Sequence, residues 1–389
     1  MKRQIQDFFS SEASSGWVLL ACIAVALGIA NSPAASAFSD LLQTRIGTES
    51  GGVDLKYPLQ VWINDGLMAI FFLMVGLEVK KAFLIGDLSS FSKASLPVIA
   101  AIGGFAIPAL CYLAINYGKD TQHGWAIPMA TDIAFALAVL NLAAGKLAGT
   151  AKTFLSTLAI ADDICAIIVI AIFYSSGIHL NYLIAATVVF ALQLGLNRLG
   201  VKSIWIYLST GAVLWYLLHH SGIHATIAGV LTALAVPLSA SNYSPLEKLE
   251  HALLKPVNFL IVPIFVLSNT NITLNQSMLQ GVVSPLALGI YVGLLLGKPA
   301  GILLTSFLTV KLKISSLPKD LSWKHLMGLG MLAGIGFTMS IFVALLSFDE
   351  SLLQDQAKFA ILLASTVAGV AGYLIYKHAA KTSDTVFVK

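Results

Sequence analysis

The stretch TFLSTLAIADDICAIIVIAIFY, residues 153–174, decides the fold class of this chain. It is long enough for a transmembrane helix, because about 20 apolar residues span the hydrocarbon of a bilayer. Asp162 and Asp163 lie side by side at its centre, where each charge costs about 2.5–3.5 kcal/mol on insertion scales. Such carboxylates must face a cavity or a bundle interior, and they predict an ion path or a proton relay. The alternative is a structural acid paired with a base, but packing needs one acid and not two.

The composition of the whole chain is that of a polytopic membrane protein. Of its 389 residues, 57% are hydrophobic and 11% are charged, whereas soluble domains are about 25% charged. Hydropathy and helix breakers predict an all-α fold with about twelve transmembrane spans in a single membrane domain, residues 1–389. We predict these spans near residues 12–30, 59–80, 95–116, 122–143, 151–174, 181–199, 203–218, 223–237, 250–271, 284–309, 326–348 and 357–377.

The Lys and Arg residues divide unevenly between the two ends of these spans. Of the 23, 18 fall on the side of the two termini and 4 on the other side, while Lys298 lies inside span ten. The positive-inside rule then places both termini in the cytoplasm. The net charge of +4 is spread through short loops, so we expect no nucleic-acid partner.

The segment between spans one and two contains a hairpin pattern. LLQTRIG and VDLKY are strand-like runs on either side of a Ser-Gly-Gly turn, within residues 40–58. A hairpin here would lie on the outer face. An ordinary polar loop is the alternative that this pattern leaves open.

Two of the predicted spans are interrupted. Span four, GWAIPMATDIAFALAVL, contains Pro128, which removes a backbone donor, and then Thr131 and Asp132. Span eleven, LMGLGMLAGIGFTMSIFVALL, contains four glycines before Thr338, a pattern that taken alone is more typical of a close-packing face. A broken helix frees backbone groups at membrane depth, which is tolerated only where they line a cavity or are buried in protein.

The two interrupted spans occupy corresponding positions in the chain. Span four is the middle of spans 3–5 and span eleven is the middle of spans 10–12, and the two triplets cross the membrane in opposite directions. This arrangement predicts inverted repeats that form a core bundle with a binding site near the midplane. We expect Asp132 to offset facing positive helix ends and Lys298 to offset facing negative ones.

Seven motifs along the chain point to one family. They are WINDGLMAIFFLMVGLEVK at 62–80, PVIAAIGG at 97–104, ATDIAFAL at 130–137, LAIADDICAIIVIAIFY at 158–174, GIHATIAGV at 222–230, LGKPAGI at 296–302 and GIGFTMSIF at 334–342. In content and order they resemble the bacterial NhaA-type Na⁺/H⁺ antiporters. The rule on paired interrupted helices was itself drawn in part from this family.

The resemblance implies an electrogenic antiporter that expels Na⁺ or Li⁺ across a bacterial inner membrane and admits protons, without a cofactor. It implies that the discontinuous spans four and eleven cross, and that the outer hairpin joins a homodimer. Asp163 would be the principal cation ligand, and Asp162 would join it or pair with Lys298. Thr131 and Asp132 match supporting residues at the first break.

The resemblance also implies regulation by pH. The positions that the family associates with this response are Glu78, His224, Lys248 and Glu250. The chain departs from the family pattern at Ala82, where an acid is common, and at Leu254, where a second histidine is common. These departures concern the pH response and not the exchange.

The chemistry of the candidate residues fits a hard monovalent cation, which prefers oxygen ligands. Adjacent helix positions point about 100° apart, so one arrangement that fits is Asp163 toward the cation and Asp162 toward Lys298. Two interpretations of Lys298 stay open. It either releases a proton when Na⁺ arrives or acts only as the structural partner of Asp162.

The sequence does not favour three other classes of protein. A passive channel usually has a ringed, continuous pore, and the sequence has no filter-like repeat. A sodium-coupled solute symporter would need a larger polar or aromatic pocket, for which no candidate stands out. An enzyme is not indicated, since no nucleophile–base constellation or metal-ligand spacing is present.

Overall fold

The structure is a computed structural model that describes residues 12–50, 53–144, 149–175, 177–239 and 244–387. The described chain is almost entirely helical, as expected for a polytopic membrane protein. Its α-helices are α1 (Glu12–Ala30), α2 (Ala35–Gln43), α3 (Leu59–Val61), α4 (Met68–Leu84), α5 (Phe91–Asn116), α6 (Ile133–Ala144), α7 (Gly149–Phe173), α8 (Leu180–Arg198), α9 (Ile204–Ser221), α10 (Ile227–Ala235), α11 (Pro245–Pro256), α12 (Val262–Asn269), α13 (Gln276–Gly281), α14 (Pro285–Val292), α15 (Lys298–Lys311), α16 (Trp323–Ala333), α17 (Phe337–Ser347) and α18 (Ser351–Phe387).

Several of these helices are joined by tighter or wider turns instead of loops. Single π-helical turns connect α3 to α4, α11 to α12 and α14 to α15; they are Trp62–Leu67, Val257–Ile261 and Gly293–Gly297. A 3₁₀ helix, Asp120–Met129, precedes α6, and a short 3₁₀ turn, Asp87–Ser89, precedes α5. π-Turns inside helices are frequent at functional sites.

A helix lies at each of the twelve predicted spans, but fewer of these helices are unambiguous membrane spans. Six helices of the described chain are long and apolar enough to cross a membrane, and there are up to nine spans if each of three bent helix pairs is one. The helices at the predicted seventh and eighth spans are short, with 18 residues in α9 and 9 in α10. The number twelve therefore stays a prediction.

The described residues form two compact units. The first comprises those of Met1–Trp17, Ile85–Ala166 and Leu274–Lys389. In it α5 packs along α15, and α16 packs along α18. The helices α5 and α15 approach so closely that a Cβ atom on Gly301 would lie 2.1 Å from the carbonyl oxygen of Gly103. Glycine is required at this contact, since any side chain would overlap backbone.

The second unit comprises Val18–Leu84 and Ile167–Thr273. In it α4 packs on α10, and α9 packs on α8 and α10. The buried side chains of Leu77, Tyr207 and Val236 belong to one of its hydrophobic clusters. Lys80 of α4 donates hydrogen bonds to the carbonyls of Leu234 and Val236, at 2.7 and 2.5 Å, and so satisfies backbone acceptors at the end of α10.

The hairpin predicted from the sequence is present in the second unit. Its short antiparallel strands are β1 (Arg45–Ile46), β2 (Glu49–Ser50), β3 (Val53–Asp54) and β4 (Tyr57–Pro58), with β1 paired to β4 and β2 to β3. Gly51 and Gly52 of the predicted turn lie outside the described residues. The indole nitrogen of Trp62 donates to the carbonyl of Ile46 at 3.0 Å, which ties the hairpin to the π turn after α3.

Candidate ion-binding site

The candidate site lies in the first unit, where two broken helices meet. The 3₁₀ helix and α6 are bent by 45° at residues 130–132, and α16 and α17 are bent by 45° around residues 334–336. The backbone N–H of Asp132 donates to the carbonyl of Ile335 at 2.6 Å. The hydroxyl of Thr131 donates to the carbonyl of Ala333 at 2.9 Å. Each break therefore satisfies backbone groups that the other one exposes.

Asp132 binds the beginnings of two helices at once. Its Oδ1 accepts from the N–H of Phe135 in the first turn of α6, at 3.1 Å. Its Oδ2 accepts from the N–H and the hydroxyl of Thr338 in the first turn of α17, at 3.1 and 2.6 Å. A carboxylate is favourable at a helix N-terminus, where unpaired amides carry partial positive charge. This geometry matches the compensation of facing positive helix ends that the sequence predicted for Asp132.

Lys298 forms a fully buried ion pair with Asp162. Its Nζ lies 2.6 Å from Oδ2 of Asp162, and the side chains are 0% and 1% exposed. The same ammonium donates to the carbonyl of Met129, the last residue of the 3₁₀ helix. Lys298 thus meets both a carboxylate and the negative end of a broken helix. Removing one member of such a pair leaves an uncompensated buried charge, which is strongly unfavourable.

The carboxylate of Asp162 accepts fewer hydrogen bonds from the described residues than its two oxygens could. The single hydroxyl proton of Thr131 lies within reach of Oδ2 of Asp162, at 2.8 Å, and of the carbonyl of Ala333, at 2.9 Å. It can be given to only one of them at a time. Oδ1 of Asp162 is buried and has no hydrogen-bond partner in the described part of the chain. A buried carboxylate oxygen without a donor is suited to receive a proton or a hard cation.

Asp163 follows Asp162 on α7 and is also buried, with 4% of its surface exposed. The structure thus brings Asp162, Asp163, Thr131, Asp132 and Lys298 into one unit around the two breaks. Oxygen atoms dominate the cluster, and hard cations such as Na⁺ and Li⁺ prefer oxygen. No group of three or more His, Cys, Asp and Glu side chains that could hold a metal ion occurs among the described residues.

The four residues predicted for the pH response do not form one cluster. Glu78 of α4 interacts electrostatically with Glu250 and Lys81, and Lys81 pairs with Glu250 at 2.7 Å. His224 instead lies 3.8 Å from the carboxylate of Asp65, in the π turn that precedes α4. Asp65 and Glu78 are 13 residues apart, about 20 Å along a helix. The fourth residue, Lys248, is exposed on α11.

Sequence reasoning did not single out three polar residues that organise these regions. His219 places its Nδ1 3.3 Å from the other carboxylate oxygen of Asp65. Ser340 donates to the carbonyl of Ile127 at 2.7 Å, and Ser365 accepts from the N–H of Phe337 at 3.2 Å. Ser340 lies within the motif GIGFTMSIF and Ser365 lies outside all seven motifs, but neither position in the sequence reveals which backbone group the serine contacts.

Apolar helices, two broken spans and a buried carboxylate–ammonium cluster together define an integral membrane protein of the ion-transporter class. The sequence model of the family described as Na⁺/H⁺ antiporter 1 matches residues 6–376. The chain belongs to this family, the NhaA Na⁺/H⁺ antiporters.

Individual relatives agree with this assignment over nearly the whole chain. The Na⁺/H⁺ antiporter NhaA 2 of Flavobacterium johnsoniae is 55% identical over 370 residues, which cover 95% of this chain and 91% of that protein. The Na⁺/H⁺ antiporter NhaA of Shewanella frigidimarina is 46% identical over 377 residues, 96% of each chain. That of Dechloromonas aromatica is 46% identical over 379 residues, 96% of this chain and 95% of the relative. All three are named as transporters and not as enzymes.

Proposed function

We propose that this protein is an electrogenic antiporter that expels Na⁺ or Li⁺ from a bacterial cell in exchange for external protons. The observation that carries the proposal is the buried Asp162. Lys298 and Thr131 hold one of its carboxylate oxygens, and the other has no partner among the described residues. This carboxylate lies where two broken helices expose backbone oxygens, beside the second buried acid, Asp163. The names of the relatives agree with sodium and protons as the exchanged ions.

The mechanism follows from competition at one site. Asp162 and Asp163 are neighbours and should titrate as a coupled unit. When they hold protons, a cation loses its ligands, and when they hold Na⁺ or Li⁺, the protons leave. Asp163 is assigned as the principal cation ligand and Asp162 as the partner of Lys298, with Thr131 and Asp132 in support. If Lys298 also carries a proton, the charge moved per turnover will change in a Lys298→Gln variant; an unchanged charge assigns it a structural role.

The proposed architecture places this site at the centre of two inverted repeats. It has twelve spans, with spans 3–5 and 10–12 as the core bundle and the discontinuous spans four and eleven crossing each other. Both termini lie in the cytoplasm, as the distribution of Lys and Arg indicates, and the protein resides in the bacterial inner membrane, as the family resemblance implies. Two copies associate through the outer hairpin. The transported ions are its substrates, and neither a resident cofactor nor a nucleic acid takes part.

Regulation by pH is assigned to Glu78, His224, Lys248 and Glu250. The contact of Glu250 with Lys81 joins α11 to α4, which also carries Glu78. Glu78 lies three residues before Lys81 on α4, so Glu78 and Glu250 both lie at or beside an ion pair that links two helices. His224 acts separately, beside Asp65.

The decisive experiment uses proteoliposomes with an acidic lumen that contains a pH-sensitive dye. Na⁺, Li⁺ or K⁺ is added outside, over a range of pH, to the unmodified protein and to Asp163→Asn. The control is Asp355→Asn, which removes an acid that is paired with Lys358 on α18, outside the site. We expect Na⁺ and Li⁺ to alkalinise the lumen with the unmodified and control proteins, and K⁺ to have no effect.

Asp163→Asn should abolish the response to every cation. If folded, unmodified protein gives no pH response to any cation, the antiporter proposal is wrong. A sodium-coupled solute symporter then becomes the leading alternative.

A further inference from the structure

The N-terminus of α17 places backbone donors in the apolar interior of the first unit. The first amides of any α-helix lack partners within the helix. Here Phe337 and Thr338 open the helix directly after the break, and both are buried. Because both residues are buried, protein groups must accept from these amides.

Two side chains from other elements supply the acceptors. The carboxylate of Asp132 accepts from the N–H of Thr338 at 3.1 Å. The hydroxyl of Ser365 accepts from the N–H of Phe337 at 3.2 Å. Ser365 lies on α18 and is buried, with 6% of its surface exposed. The beginning of α17 is therefore held from two sides, by a charged group of the first break and by a neutral group of α18.

We propose that Ser365 is a positioning residue for cation binding, an inference that rests on the proposed antiport. Without its hydroxyl, the N–H of Phe337 loses its acceptor. The carboxylate that serves the adjacent amide is Asp132, which also holds α6 through Phe135. The start of α17 then shifts or turns toward Asp132, at the expense of the bonds that this carboxylate makes to Thr338 and Phe135.

Two hydrogen bonds connect the beginning of α17 to the candidate cation ligands. The N–H of Asp132 is bound to the carbonyl of Ile335, in the second break. The neighbouring Thr131 contacts Asp162 at 2.8 Å. Ser365 itself touches neither ion nor carboxylate. Its effect is on the geometry in which Asp132 and Thr131 support Asp162, so it should act on cation affinity more than on the maximal rate.

The test compares Ser365→Ala and Ser365→Cys with the unmodified protein in the proteoliposome assay. Cysteine keeps the size of the side chain but is a weak acceptor. The matched control is Thr366→Val, at the next position of α18, where the hydroxyl bonds within its own helix to Leu362 and is exposed. The readouts are the apparent KM for Na⁺, the maximal rate and the thermal stability of each purified protein.

We expect Ser365→Ala to raise the apparent KM for Na⁺ roughly two- to tenfold, the equivalent of one net hydrogen bond, with little change of the maximal rate. Ser365→Cys should lie between Ala and the unmodified protein, and Thr366→Val should equal the latter. An unchanged KM in Ser365→Ala, or the same rise in Thr366→Val, contradicts the inference while exchange by the unmodified protein still supports antiport. If Ser365→Ala does not fold, an unchanged KM in Ser365→Cys overturns it. Absence of exchange in the unmodified protein removes both proposals.

Discussion

At the scale of single residues, Asp162 and Lys298 are two charged groups buried together in the interior of the first unit, where an unpaired charge is costly. The side chains are 1% and 0% exposed and 2.6 Å apart. Breaking such a pair by removing one partner costs about 3–5 kcal/mol, whereas replacing both with apolar groups of similar size can be nearly neutral. We therefore predict that Lys298→Met and Asp162→Leu each lower the thermal stability of the purified protein, and that the double variant recovers most of the loss.

The measurement is a double-mutant cycle of melting temperatures in one detergent at one pH. The pair of Lys358 and Asp355 on α18 is the comparison, because its side chains are 8% and 34% exposed, so it is less buried than the first pair and should couple its two residues more weakly. Additive losses at Asp162 and Lys298, similar to those of the comparison cycle, would show that the buried pair does not couple the two residues.

The sequence was sufficient to find these residues because charges in apolar helices are rare and costly. Asp132, Asp162 and Lys298 stand out for that reason, and the contact of Asp162 with Lys298 was one of two arrangements that the family resemblance implied. Ser365 and Ser340 could not be found in this way. Serine is common in membrane helices, and its partner is a backbone group whose position depends on packing between distant segments. The transport roles of all these residues stay predictions.

At the scale of elements, α5 and α15 make a close contact one turn beyond Lys298. A Cβ atom on Gly301 would lie 2.1 Å from the carbonyl oxygen and 2.6 Å from the carbonyl carbon of Gly103. Both are backbone atoms, so the helices must separate to admit a methyl group. We predict that Gly301→Ala destabilises the protein by about 1–3 kcal/mol, as overpacking does, and weakens Na⁺ exchange because Gly301 lies one turn beyond Lys298.

The matched control is Gly195→Ala, inside α8, where an added Cβ meets nothing within 4 Å. Alanine favours a helix over glycine by about 0.5–1 kcal/mol, so this variant should be equally or more stable. Thermal melting of both variants, followed by exchange assays, tests the prediction. Equal melting temperatures for Gly301→Ala and the unmodified protein would mean that the two helices separate without cost.

The sequence predicted the two helix breaks but not the three π turns. Pro128 and the glycines before Thr338 marked the two breaks, because proline removes a donor and glycine weakens a helix. The π turns at Trp62–Leu67, Val257–Ile261 and Gly293–Gly297 have no comparable signature. Each accommodates one extra residue in a helix, so its position depends on how the neighbouring helices pack. Asp65 lies in the first of these turns, beside His219 and His224.

At the scale of the whole molecule, the hairpin is the feature that we propose to join two copies of the chain. Each of its strands has two residues, and an isolated two-stranded hairpin is marginal in water. Its edges can pair with another chain, and Ile46 on β1 is 49% exposed. We predict that replacing residues 45–58 with a short Gly-Ser linker converts a dimer to a monomer, and that exchange per chain persists because the candidate ligands lie in the other unit.

A single substitution makes this test sharper, since a deletion can disturb the neighbouring helices. Ile46→Asp places a charge on the hairpin and should shift the equilibrium toward monomer. Val283→Asp is the control, because Val283 is an aliphatic residue that is 72% exposed and lies outside the hairpin. Mass measurements in detergent at several protein concentrations, together with cross-linking in membranes, give the oligomeric state. If the linker variant and Ile46→Asp dimerise as strongly as Val283→Asp, the contact between copies lies elsewhere. If both become monomeric and lose exchange, each site needs the partner chain.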